Sequence, residues 1–440
     1  AKSTNTTDMN RRDFIQRATA ASAGMLLPTI LPSGRLFAAT GSRKVNHVVF
    51  CLFAGGVRTL ESIWQNDGNL MPTMLNGSSS ISSDIAGSID AMPPSPLSAP
   101  LQTQGTLFTS FKYDQGPTGH FNGHVAALTG QHTTYALNLR RRFPLPTIFE
   151  LYRKHNSPQM AAKNAWWISK SNVLYPSLNY SAHPDYGATY GANHITPNTF
   201  FKTAISNSLQ HDIDFTSTKA EDVANLKAYV NSNFTSTVTL NNGIRNSPAH
   251  RNEITNWMKT VQQQVTGGMT GNPWGISSGM NSDQKNLFFA EELINNFKPE
   301  LTVVNLSDVD TAHSNFSGYC NALHRADYGV SHLWNTIQNT PGMANDTVMI
   351  VMPEVGRNLV DNNILDANGR AALDHTTGDT MSRDLFCLVL GPSQVIAQNK
   401  VVSSPGGRSI DVVPTIANLL GFDLDIPISL PGLALQDAFQ

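Results

Sequence analysis

Short runs of apolar residues without polar alternation constrain this chain most. Residues 45–54 form one such run and stop at Gly55-Gly56. A strand with one wet face alternates in polarity. A strand that does not alternate is buried on both faces, as in a parallel sheet covered by helices. The same signature recurs at 301–306, 347–352 and 385–390, the last closed by Gly391-Pro392. Between these runs the periodicity turns helical. Residues 284–297 are amphipathic, and 319–338 carry Leu323, Ala326, Val330, Leu333 and Ile337 as one stripe. Residues 411–420 form another helical segment with Pro414 in its first turn. Strands separated by helices predict an α/β fold with a mostly parallel central sheet flanked by helices.

Upstream, Thr118-Gly119-His120 opens a helix that runs to Leu128 and closes at Gly130, and 145–155 is helical with Pro146 in the first turn. Residues 66–105 are rich in Ser, Gly and Pro and read as loop. Residues 156–283 are rich in Asn, Ser and Thr, with helices near 220–230 and 252–265; they read as a long insertion or cap over the sheet edge. Trp166-Trp167 and the stretch from Tyr175 to Tyr190 either pack inside that insertion or line a pocket. The expected division is therefore a leader at 1–40, a first part of the core at 41–155, the insertion at 156–283 and a second part of the core at 284–440.

The 30 Lys and Arg balance 32 Asp and Glu, which argues against a nucleic-acid binder. Charged residues make up 14% of the chain, below the usual ~25%, a composition that resembles exported proteins. Cys51, Cys320 and Cys387 lie in or beside apolar runs and read as buried thiols. Asn10-Arg11-Arg12-Asp13-Phe14-Ile15-Gln16 resembles a twin-arginine export motif, and the stretch after it, 18–31, is broken by Pro28 and too short to span a bilayer. Ala38-Ala39 offers a small-residue cleavage region. The alternative is an amphipathic structural helix. Export would involve the twin-arginine translocase and a periplasmic or extracellular destination, with no transmembrane span.

Chemistry concentrates in three places. Asp310-Thr311-Ala312-His313 and Asp374-His375-Thr376-Thr377 together offer a carboxylate and two imidazoles, Asp310, His313 and His375, to one divalent metal. Glu354-Val355-Gly356-Arg357 follows a buried strand directly. Strand ends that deliver Asp, Glu and His to one edge are how such a sheet builds a site. Plainer readings stand beside each. Asp310 and Thr118 would serve as helix N-caps, and Glu354 and Arg357 would form a structural ion pair. His120 and His124, which have ligand spacing on a helix and are additional candidate site residues with Glu354, would be a solvated or core-satisfied pair.

These motifs carry a resemblance. Arg408-Ser409-Ile410-Asp411-Val412-Val413-Pro414-Thr415-Ile416-Ala417-Asn418-Leu419-Leu420-Gly421 resembles the C-terminal helix of sulfatases and phosphodiesterases of the alkaline phosphatase superfamily. Asp310 to His313, with Tyr319 and Asp327 beyond, is similar to that superfamily's Asp…Gly-His signature. Glu354 to Arg357 is similar to the Glu-Phe-Gly-Arg motif of a twin-arginine-exported, sulfatase-like branch. His375-Thr376-Thr377 resembles the late histidine motif of cofactor-independent phosphoglycerate mutases. The resemblance covers roughly 45–150 and 284–435 and implies an alkaline-phosphatase-like sheet.

The resemblance implies two metal sites, of which the Asp310, His313 and His375 site is intact and suits zinc, or manganese or iron. The second departs from the pattern. Gly55-Gly56-Val57-Arg58-Thr59 lacks the first-strand Asp, and Glu354-Val355 replaces an Asp-His pair. A guanidinium about 5 Å from a ligand charge at an effective dielectric of ~20 shifts the balance by roughly 3 kcal/mol per unit pair, so loss of the second metal is expected, with Arg58 in its place and paired to Glu354. The resemblance places the nucleophile at Thr118, at a helix N-terminus that favours an anion, with His120 or His124 as a nearby base. Arg58 and Arg357 would stabilise transition-state charge. The expectation is an exported metal-dependent hydrolase of anionic phosphate or sulfate esters. The alternative is a degenerate relative that serves as a cell-envelope binding or assembly module.

Overall fold

A computed structural model of the chain describes residues 41–135, 142–157, 161–170, 178–197, 243–266 and 272–440. The twin-arginine motif, the Ala38-Ala39 region, Tyr175 and the helix expected near 220–230 lie outside the described residues.

Eight strands form one sheet: β1 (His47–Phe53), β2 (Gly105–Lys112), β3 (Ala165–Ile168), β4 (Asn193–Ile195), β5 (Leu301–Leu306), β6 (Thr347–Pro353), β7 (Asp384–Leu390) and β8 (Lys400–Val402). Their spatial order is β4-β3-β5-β1-β6-β7-β2-β8. β4, β3, β5, β1 and β6 pair in parallel, as do β2 and β8, while β7 runs antiparallel to both β6 and β2. The α/β fold with a mostly parallel sheet is thus observed, with one reversed strand.

The apolar runs are buried on both faces for the reason expected. Along β1, Val49, Cys51 and Phe53 enter one core and Val48, Phe50 and Leu52 the other. The first core is covered by α3 (Pro248–Thr266), α4 (Ser282–Phe297) and α5 (Phe316–Asn339); the second by α1 (His120–Thr129), α2 (Ile148–His155) and α6 (Val412–Leu420). Helix starts follow local capping chemistry. Asn281 accepts from Gln284 N before α4, Asn315 accepts from Gly318 N before α5, and Glu150 Oε2 accepts from Thr147 N before α2. α1 and α6 stop on the left-handed Gly130 and Gly421.

Two expectations change. β2 emerges at the end of the stretch read as loop, and β3 and β4 arise within 156–283, so that span supplies two strands to the central sheet as well as covering structure. Trp166 and Trp167 lie in β3 and are buried, which makes them packing residues. The three cysteines are buried and unpaired.

Topology explains where the site forms. β1, β2, β5 and β6 all end at the same edge, and the reversed β7 begins there. The segments after the four strands and before the fifth therefore meet. Two glycines let them approach. A Cβ on Gly55 would lie 2.6 Å from Asp310 N, and one on Gly123 would lie 2.8 Å from Glu354 O. Gly123→Ala pushes α1 off the end of β6. We expect it to lower stability by about 1–3 kcal/mol, read as a lower urea midpoint with an unchanged slope.

Candidate metal centre

The turn after β5 carries Asp310 and His313, α1 carries His120 in its first turn, and the loop before β7 carries His375. Their ligand atoms all lie within 4.8 Å of one another. His120 Nε2 is 3.2 Å and His313 Nε2 3.3 Å from Asp310 Oδ1, and His313 Nε2 is 3.1 Å from His375 Nε2. Donors on a tetrahedral ion with bonds near 2.0–2.1 Å stand about 3.3 Å apart.

Proton positions sharpen this. His120 Nδ1 donates to Glu354 Oε1 at 2.7 Å, His313 Nδ1 to Asp374 Oδ1 at 2.7 Å, and His375 Nδ1 to the Thr118 carbonyl at 2.7 Å. A carboxylate or carbonyl accepts only, so each Nδ1 carries the hydrogen. In the neutral rings each Nε2 is then a bare lone pair. Three lone pairs and a carboxylate oxygen facing one another repel unless a cation or proton lies among them. Orienting a ligand imidazole through its second nitrogen is the usual device of metal sites. The residues fit a divalent ion.

The surrounding charges agree. Burial disfavours protonated His375, and the cationic His120 and Arg357 add to that, lowering its pKa to about 4. Burial also disfavours charge on Glu354, yet His124 and His120 outweigh it and draw its pKa down to about 2. Asp310 loses stability as an ion through burial, but the hydrogen bond and charge of His120 and the charge of Arg357 hold it well below the usual carboxylate range. Burial works against a charged His120; Glu354 and Asp310 outweigh it and push its pKa up to about 10. Without metal, His120 is therefore protonated and donates to Asp310.

The expected residues separate into those at the cluster and those beside it. Asp310, His313 and His375 come together, and His120 joins them as a fourth donor. Asp310 does not cap α5, whose N-cap is Asn315. His124 is buried, with Nδ1 against Glu354 Oε2 and 2.8 Å from the His120 carbonyl, and Nε2 accepts from Asn305 Nδ2 at 2.8 Å. His120 and His124 thus clasp Glu354 from one helix face.

The expected Arg58–Glu354 pair is not formed. Arg58 donates to Glu61 at 2.7 Å and to the carbonyls of Asn358 and Leu359, because Glu61 lies one turn away on its own segment. Arg357 is the guanidinium at the cluster. It is buried and donates to Asp310 Oδ1 at 2.8 Å, to Leu373 O at 2.7 Å, to Gly56 O and to Gly55 O. Its partner is Asp310, so the expected Glu354–Arg357 ion pair gives way to two separate ones. Thr118 is 1% exposed, its hydroxyl donates to His375 O at 2.9 Å, and the N-cap of α1 is Gly119. Asp374, the orienting carboxylate of His313, was not singled out by the sequence. Its only signal is adjacency to His375.

No family model and no curated protein matches the chain. Among solved structures it aligns with a protein in the alkaline phosphatase superfamily from Vibrio parahaemolyticus at 14% identity and TM-score 0.41, over 96% of this chain and 80% of that one. A mutant of the alkaline phosphatase PafA aligns at 9% identity and TM-score 0.49, over 91% of this chain and 100% of that one. A phosphonate monoester hydrolase from Silicibacter pomeroyi aligns at 14% identity and TM-score 0.44, over 89% and 76%. At such values the likeness assigns no residue and no reaction to this chain.

Two outcomes are expected of the cluster. Because His120 binds its proton more tightly folded than unfolded, that proton stabilises the metal-free protein fully below pH 6.5, and the contribution is lost as pH rises through about 10. Urea midpoints of the metal-free protein, compared with His120→Asn, should show that decline only in the parent. Asp374→Asn should weaken zinc binding by about 10–100-fold, measured by competition with a chelating indicator.

Proposed function

We propose that this chain is a hydrolase of phosphate or sulfate esters built around one divalent ion held by His120, Asp310, His313 and His375. The observation that supports this is the convergence of three imidazoles, each tethered at its Nδ1, and the Asp310 carboxylate, with ligand atoms within 4.8 Å of one another. A bound ion would act there as a Lewis acid toward an ester oxygen and an attacking water. Three imidazoles and a carboxylate suit zinc, with manganese or iron as further occupants.

The chain's own groups have defined tasks. Arg357 holds Asp310 Oδ1 in place and keeps the strand ends together. Glu354 fixes His120, Asp374 fixes His313, and the Thr118 carbonyl fixes His375. With its hydroxyl engaged and buried, Thr118 acts as a positioning residue, and water is the nucleophile. Arg58 holds the 358–361 segment through Asn358 O, Leu359 O and Asp361. The twin-arginine motif supports an exported location, periplasmic or extracellular, reached through the twin-arginine translocase. Among the described residues no helix is long and apolar enough to cross a membrane.

One observation favours the second reading, a metal-bearing binding or assembly module without turnover. Four protein donors complete a tetrahedral shell, whereas catalytic sites keep a position open.

Elemental analysis should find one metal per chain in the parent and loss of it in His375→Ala. The metal-loaded parent should hydrolyse a phosphate monoester, a phosphate diester or an aryl sulfate. Thr118→Ala should retain activity within about tenfold if water attacks, whereas loss of a covalent nucleophile costs orders of magnitude more. One metal with no turnover of any of these esters would favour the module.

A further inference from the structure

The metal cluster opens at one end into a cleft of about 860 Å³, which Asp310 and His120 line. That lies within the ~300–1,000 Å³ of small-molecule sites and far exceeds what an inorganic anion fills. One wall is a face of α5. Gly318, Asn321, Ala322 and Arg325 fall at helical spacing along it, alternating small and polar side chains. A helix stripe this poor in large apolar groups does not serve a core.

The charges along the cleft are paired off internally. Arg325 contacts Asp90 and donates to Ser278 Oγ at 2.7 Å and Gln284 Oε1 at 2.8 Å. Lys170 donates to Asp308 at 2.9 Å. Asn321 donates to Asp90 Oδ2 and accepts from Asp90 N, both at 2.9 Å. Asn305 is buried where it lines the cleft, and its Oδ1 has no hydrogen-bond partner among the described residues. Among the described residues that line the cleft, none is Phe, Tyr or Trp.

We propose that this cleft binds the non-reacting part of the substrate, and that this part is a hydroxyl-rich, sugar-like group bearing the phosphate or sulfate ester at its end. Hydroxyls both donate and accept, which matches a wall of paired carboxylates, amides and serines. Described lining residues that include no Phe, Tyr or Trp give an aryl group only the His120 ring, already hydrogen-bonded at both nitrogens, to stack on. Compensated charges disfavour a second anionic group there. The assignment of the reacting end rests on the metal-centre reading above; the binding itself does not.

Isothermal titration of the full chain, with and without added zinc, tests it. The probes are glucose 6-phosphate and glucose 6-sulfate against 4-nitrophenyl phosphate and 4-nitrophenyl sulfate. The glucose esters should bind about tenfold tighter than the aryl esters with the same anionic group, one hydrogen bond's worth. Asn321→Leu, which removes the amide, and Ala322→Leu, which fills the cleft, should each cost the glucose esters a similar factor at the parent's melting temperature and zinc content. Aryl esters binding as tightly as glucose esters overturn the proposal, as do variants that bind glucose esters like the parent. Should zinc fail to load, the metal-centre reading falls, and the titrations without zinc still decide this one. Tight binding of glucose esters with no turnover supports the cleft and rejects the hydrolase.

Discussion

Everything at this site depends on hydrogens held at Nδ1. Glu354, Asp374 and the Thr118 carbonyl each take the Nδ1 hydrogen of one ring. That leaves three Nε2 atoms facing one another and Asp310, an arrangement repulsive in itself and made favourable by positive charge. Protonated His120 supplies that charge in the metal-free protein, and a bound divalent ion would replace it. Metal binding would then be coupled to release of a proton.

A second constraint is the buried carboxylate of Glu354. Removing a charge from water is costly unless it is paired and hydrogen-bonded. Here His120 and His124, four residues apart on α1, close on it from one side, and Gly123 between them allows the approach. The carboxylate is thereby engaged with imidazoles rather than offered to a metal. Arg357 has the complementary task. Its guanidinium ties Gly55, Gly56 and Leu373 to Asp310, so ends of separate segments share one rigid cation.

Much of the architecture was legible locally. β1, β5, β6 and β7 announced themselves as runs without alternation, and α5 as a stripe from Leu323 to Ile337, because burial on two faces or on one leaves a periodic trace. β2, β3, β4 and β8 were missed. β2 follows a polar loop and carries Thr and Ser among its apolar residues, β3 is only four residues long within a polar segment, and β4 and β8 are three residues each. None has a pattern long enough to stand out. Asp310, His313 and His375 were legible because strand ends and a histidine motif framed them. His120 was weighed as a base beside its neighbour His124, since helical spacing alone cannot tell a ligand from a core imidazole.

The order of residues determined that this chain forms buried strands joined by helices, and that Asp, Glu and His fall just beyond strand ends. Those properties are local, set by periodicity and by what a strand can hide. Which side chains meet was decided by the tertiary structure. The reversal of β7 brings His375 to the edge where β5 delivers Asp310. Arg58 lies within reach of Glu61 on its own segment, and Arg357 bonds Asp310 across strands. A guanidinium finds the nearest acceptor in space, and sequence distance carries no information about that.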